Sequence, residues 1–237
     1  AINLFLNLGL SIKSIWTTPH EFILYFGEPK IILRKKESEI RYAMKMSTIE
    51  GSLSTIFQFL TVGDNGSGPF IIGLALFLGT NDFQIGLLGA LPFALQFFQI
   101  VSAIIIQRIG GRRVFVSITS ILARSVFIIL ALVPLLPFLS LEQKILILFY
   151  ILLFYNINAI MSGNAWTSWV SDLFPEKIRG TYFGFRNGIF SIIRIIAVFG
   201  AGLLLDHFIH NGMEGIGYST IIMIGGTAGT IGALFFW

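Results

Sequence analysis

From residue 114 to residue 136 the chain runs through an apolar stretch whose only charge is Arg124. A helix needs about 20 such residues, at about 1.5 Å each, to cross a hydrocarbon core about 30 Å thick. Five further stretches have this character: residues 48–79, 83–106, 145–166, 182–205 and 219–237. Short polar or glycine-rich connections join them, so consecutive spans are expected to be antiparallel neighbours. The composition agrees. Of 237 residues 55% are hydrophobic and 12% charged, and the mean hydropathy is +0.83, whereas a soluble domain carries about 25% charge. The absence of cysteine excludes a disulfide framework, a thiolate metal site and a thiol nucleophile. With 25 glycines and 24 phenylalanines, close-packed helices fit better than a β-barrel of alternating residues. The expected fold is all-α, a polytopic membrane bundle of six transmembrane helices, and a water-soluble globule is excluded.

Orientation follows from where the basic residues fall. Counting Arg186, at the start of the fifth span, with the loop before it, thirteen of the 16 lie before the first span, between spans two and three, or between spans four and five. Lys144 alone lies in the opposite connections, and Arg124 and Arg194 fall inside spans. The positive-inside rule makes the thirteen-charge face cytoplasmic and puts the N-terminus inside. Residues 1–47 hold only short apolar patches and a basic cluster from Lys30 to Lys36, so they are expected to form a cytoplasmic arm before a bundle of residues 48–237. The chain starts at Ala1 and ends at Trp237 within an apolar run, which reads as a fragment, with Met44 or Met46 as alternative starts.

Charges at membrane depth are costly, about 2.5–3.5 kcal/mol for an arginine, and should face a bundle interior or a wet cavity. Arg124 and Arg194 lie about 16–18 Å beyond the cytoplasmic ends of their spans. They either contact an anionic substrate or coupling ion, or pair structurally with carbonyls or an acid. The run Gly63-Asp64-Asn65-Gly66-Ser67-Gly68-Pro69 is hostile to a continuous helix. It breaks the first span within the membrane or forms an outside loop. Asp64 is then a partner for Arg124 or Arg194, or a protonatable coupling site. Glu50 reads chiefly as a solvated interfacial acid. Gln96, Asn156, Asn158 and Asn164 are polar groups in apolar spans, suited to substrate or to inter-helix hydrogen bonds. Gly184, Gly188, Gly200 and Gly202 in the fifth span, and Gly225, Gly229 and Gly232 in the sixth, are expected to permit close helix packing. Trp166 and Trp169 suit an interfacial belt. Asp206, His207 and His210 lack a fourth ligand and read as solvated loop residues, so no metal site and no cofactor are expected.

The cytoplasmic loops carry a resemblance. The turn Arg108-Ile109-Gly110-Gly111-Arg112-Arg113 and the segment Pro175-Glu176-Lys177-Ile178-Arg179-Gly180, with Gly184 beyond it, resemble the N-terminal half of a major facilitator superfamily transporter over roughly residues 47–237. Ala103 and Gln107 stand where that family's loop motif has Gly and Asp, and Gly111 replaces a basic residue. Phe199-Gly200-Ala201-Gly202 stands in place of the drug antiporters' Gly-Pro-Gly-Gly. The resemblance implies a secondary transporter that rocks two six-helix halves around a central site, with the C-terminal half as partner. It implies a prokaryotic inner-membrane location and a cavity lined by spans one, two, four and five. Asp64, Arg124, Arg194, Gln96, Asn156, Asn158 and Asn164 are the substrate or ion candidates. Arg108, Gly110, Arg112, Arg113, Glu176, Arg179 and Gly180 are the loop gating candidates, or simple topological anchors. Mid-depth arginine favours an anionic solute, with H+ or Na+ as a possible coupling ion. A non-transporting receptor or scaffold bundle is the alternative. An intramembrane enzyme is disfavoured because no histidine lies in a span and Asp64 stands alone as the deep acid. Nucleic acid is not expected, since topology and anionic lipid account for the positive charge.

Overall fold

The computed structural model describes residues 30–64, 66–109, 111–173 and 176–236. The chain divides into two units, Ala1–Arg41 and Tyr42–Trp237. In the first, the described residues are the opening turns of a helix. The second is the bundle. All regular structure among the described residues is helical: α1 (Lys30–Leu60), α2 (Pro69–Phe77), α3 (Asp82–Ala94), α4 (Phe98–Ile109), α5 (Arg112–Leu132), α6 (Leu141–Leu173), α7 (Glu176–His210) and α8 (Glu214–Leu234), with a 3-10 turn, Val133–Leu135, ending α5. Among the described residues, five stretches are long and apolar enough to cross a membrane: Asp82–Arg108, Arg112–Leu135, Leu141–Val170, Ile178–His210 and Glu214–Leu234.

Local chemistry sets the helix ends. Asn81 caps α3 in a reciprocal box with Gln84, its side chain accepting from the Gln84 amide at 2.9 Å while Gln84 accepts from the Asn81 amide at 3.0 Å. Ser140 and Gln143 make the same exchange before α6. Pro92, which can donate no backbone bond, lies a turn before the loosened stretch between α3 and α4. The connection between the apolar stretches 145–166 and 182–205 is mostly helical, because α6 runs on to Leu173 and α7 starts at Glu176.

The predicted break in the first span is present. Helix α1 stops at Leu60 and α2 starts at Pro69. Gly63 and Gly66 have φ of +65° and +80°, left-handed values that glycine adopts without steric cost. Gly68 lies so close to the Thr61 carbonyl that a side chain there has no room. Part of the break is packed: Thr61, Val62 and Gly68 are buried, and Gly66 packs against Pro92 of α3 and Asn156 of α6, while Asp64 and Pro69 are exposed.

Helix α8 lies antiparallel along both pieces. Gly232 meets Leu53, Gly229 meets Phe57 and Gly225 meets Leu60 and Thr61 on α1; beyond the break, Tyr218 meets Gly73 and Gly215 meets Phe77 on α2. The break thus falls near the middle of α8. These sixth-span glycines are packing residues, as expected. Gly184, Gly188, Gly200 and Gly202 of α7 are not, because nothing lies within 4 Å of where their side chains would start.

The interior is apolar where α1, α2, α5, α6 and α8 converge, with Phe127, Leu130, Ile71, Leu74, Leu148, Leu152 and Ile222 almost wholly buried. Phe57, Phe127 and Tyr155 form an aromatic trio with centroids 5.1–5.8 Å apart, Phe127 meeting each of the other two edge-to-face. The outer surface is equally apolar. Phe97 just before α4, Ile100 and Ile104 on it, and Ile192, Ile195, Ile196, Phe199 and Leu203 on α7, are all exposed. Apolar patches of this extent are unstable in water and suited to lipid. The chain is an all-helical integral membrane protein.

Candidate functional site

One carboxylate organises the polar interior. Glu50 of α1 is 3% exposed, and its Oε1 accepts from Arg124 Nη2 of α5 at 3.0 Å and from the Ser54 hydroxyl one turn along α1. Its Oε2 faces Arg186 Nη2 of α7 at 3.8 Å. Three helices each contribute one charge. Glu50 is therefore no interfacial acid, and Arg186, which sequence position assigned to a cytoplasmic loop, is a buried partner in the bundle.

Each arginine has further partners. Arg124 donates from Nη1 to the Gly229 carbonyl at 3.1 Å, and its guanidinium lies 5.9 Å from the ring centres of Phe57 and Phe236. Arg186 donates from Nε and Nη2 to the Ser47 carbonyl at 3.3 Å, and it stacks over Phe190 at 4.4 Å and Trp166 at 5.5 Å. Gly51 makes that approach possible: any side chain there would collide with Arg186 and Phe190. Trp166 and Trp169, both half-buried, pack edge-on against Phe183 and Phe236.

The cluster borders a cavity of about 490 Å³ between α1, α5, α6 and α7, with Phe236 closing one side. Ser54, Gln58, Ser120, Ser162 and Asn187 supply polar wall, and Phe57, Tyr155, Trp166 and Phe190 supply aromatic wall. Ser120 and Ser162 bridge α5 and α6 with a 2.6 Å hydroxyl pair. The second span contributes nothing to this lining, and the third does. Its expected place among spans one, two, four and five is corrected accordingly. Arg124, halfway along α5, turns inward between α1 and α8 and brings that helix to the wall. A smaller cavity of about 180 Å³ adjoins it, sharing Glu50, Trp166 and Phe236 and adding Tyr42, Met46 and Arg113.

The remaining candidates are dispersed. Asp64 pairs with Arg194, not with Arg124: Asp64 Oδ2 lies 3.7 Å from Arg194 Nη1, with the two side chains 61% and 49% exposed. Gln58 donates to Asp64 at 3.3 Å, and Arg194 lies 4.8 Å over Phe59. Asn156 is buried and donates to the Leu152 carbonyl at 2.8 Å; Asn158 does the same to Phe154. Asn164 donates to the Gln99 carbonyl at 3.2 Å, tying α6 to α4, and Gln96 is an exposed partner of Gln99. Of these four amides, Asn164 alone ties two spans together by a hydrogen bond. None lines the larger cavity.

At the loop positions, Arg112 donates to the Ser168 carbonyl at 3.4 Å and Arg113 Nε to the Phe236 carbonyl at 2.7 Å, so they hold the ends of α6 and α8. Arg108 is exposed, Arg179 has a buried Nε, and Gly180 has open space around it. Gly110 and the Glu176 side chain lie outside the described residues. At the same end, the Tyr182 hydroxyl donates to the Met44 carbonyl at 2.9 Å. Asp206 and His210 form a one-turn pair at 3.4 Å, and no metal-binding cluster occurs among the described residues. Compared with protein-family models, curated proteins and solved structures, the chain matches none of them.

Proposed function

We propose that the chain is the N-terminal six-helix half of a secondary transporter of the major facilitator type, which moves a small solute across a cell membrane by alternating access. The observation that carries this reading is the buried Glu50–Arg124–Arg186 cluster on the wall of a polar cavity inside a lipid-facing bundle. Buried ions at membrane depth are expensive, and binding or coupling is the ordinary reason for keeping them. The interrupted first span supports the same reading. Because α1 and α2 together run beside the whole of α8, they amount to a sixth crossing with its backbone opened near mid-depth, the arrangement that transporters use at binding sites.

In this reading the ends of α4 and α5 that carry Arg108, Arg112 and Arg113 face the cytoplasm, together with the N-terminus. The exposed stripe of Asn187, Ser191 and Arg194 on α7 faces the C-terminal half. H+ or Na+ is the coupling ion, and the membrane is a prokaryotic inner membrane. The test is uptake by the full-length protein in proteoliposomes under an imposed proton or sodium gradient. Gradient-dependent uptake that is lost in Glu50→Gln supports the reading. Absence of flux for every solute that binds the purified protein overturns it and leaves a receptor or scaffold bundle.

A further inference from the structure

The charges around the larger cavity do not cancel. Among the residues lining it, Glu50 carries one negative charge and Arg124 and Arg186 one positive charge each, leaving one positive charge in excess. The excess resides on Arg186. Glu50 Oε1 is engaged by Arg124 and Ser54 at hydrogen-bond contact, whereas Oε2 stands 3.8 Å from Arg186, beyond hydrogen-bond length. Arg186 directs only Nε and Nη2 at the chain, both at a long 3.3 Å to one carbonyl, and its Nη1 makes no hydrogen bond among the described residues. A guanidinium has five N–H donors. Arg186 is 7% exposed and lines the cavity, so the donors left over are available to an acceptor there.

We propose that the cavity binds the carboxylate of a small organic monoanion, with Arg186 as the ligand-facing charge and Glu50 as the internal counter-ion that the ligand displaces. The planar fork of arginine matches a carboxylate in two parallel hydrogen bonds. Phe190 and Trp166, stacked on the guanidinium, hold it in place and leave its edge for the ligand. A single negative charge neutralises the site, while a dianion would leave it negative and a cation would raise its excess. The aromatic wall accepts an apolar body, and about 490 Å³ is in the range of small-ligand pockets. The inference rests on the transporter reading for the cavity's purpose, but binding is measured without flux.

The test uses three ring compounds of graded charge on the purified full-length protein at pH 7.5: benzoate, benzylamine and phthalate. Benzoate is expected to raise the thermal unfolding midpoint in a saturable way, and the other two are not. Arg186→Lys keeps the charge but loses the fork, and is expected to weaken benzoate binding by about tenfold, with Arg186→Gln weaker still. Glu50→Gln, which raises the excess to two charges, is expected to make phthalate the better ligand. That reversal keeps the test decisive if Arg186→Gln does not fold, since a purely structural ion pair would not produce it. The proposal fails if benzoate leaves the wild-type midpoint unmoved, if it stabilises Arg186→Lys equally, or if Glu50→Gln does not alter the order. Binding without flux would overturn the transporter reading and leave this site standing, whereas flux of a neutral or cationic solute with no benzoate effect would do the opposite.

Discussion

Glu50 Oε1 and Arg124 Nη2 meet at 3.0 Å across a sequence separation of 74 residues, and both side chains are mostly withdrawn from solvent, at 5% and 15% exposure. A pair of this kind is a weak source of net stability when intact, because desolvation offsets the attraction. It is costly to break. Arg124→Gln leaves Glu50 facing Arg186 alone at 3.8 Å, and is expected to destabilise the bundle by about 1.5–3 kcal/mol, the usual worth of a hydrogen bond to a charged group. Thermal unfolding in detergent checks this, and a midpoint equal to wild type would show that the ion pair is not held in the membrane-embedded fold.

The Asp64–Arg194 pair should behave in the opposite manner. Its members are separated by 3.7 Å and about half exposed, so Asp64→Asn is expected to cost about 0–1 kcal/mol. A loss as large as that for Arg124→Gln in the same assay would mean that the pair is desolvated in the assembled protein.

Glycines of α7 and α8 should respond differently to added bulk. A side chain at Gly229 would begin 2.6 Å from the Phe57 ring, whereas at Gly188 it meets open space. Gly229→Leu is expected to destabilise by about 1–3 kcal/mol through overpacking. Gly188→Leu is expected to leave the unfolding midpoint of this bundle near wild type, and equal losses at the two sites would contradict the packing described for α8 and α1.

The chain has no cysteine, so single cysteines can report topology without background. With six crossings, Asn81→Cys, Ser140→Cys and Asn211→Cys should react with a membrane-impermeant maleimide on intact cells. Ser38→Cys and Gln107→Cys should react only after permeabilisation. Labelling of Ser38→Cys together with Asn81→Cys would mean that α1 and α2 do not cross.

The break itself can be tested at Gly63, whose φ of +65° carries a penalty of about 1–2 kcal/mol for a residue with a side chain. Gly63→Ala should lower the unfolding midpoint, and transport should fall with it if the opened backbone serves the site. A variant that is more stable than wild type would show that a continuous helix is the better fold.

Helical class and the membrane environment were legible in the order of residues, because a span needs its apolar residues consecutively and no distant contact alters that requirement. The break after Leu60 was legible for a similar reason: glycine, proline and short polar residues act on their own backbone. Less local features were not. Asp64 was expected to face Arg124 or Arg194, and only the second pairing occurs. Gly184 and Gly229 sit in equally glycine-rich stretches, yet only Gly229 has a neighbouring helix against it.

What the sequence by itself determined was therefore the set of long apolar helices, their short connections and the interruption of the first. The tertiary structure alone decided that Glu50 is interior and that Arg186, near the end of a basic loop segment, turns toward it. The reason is physical. Helix formation and lipid compatibility depend on residues within a turn or a span of one another, whereas the electrostatic cost of a charge depends on which helices pack around it, and that packing joins positions 74 and more residues apart.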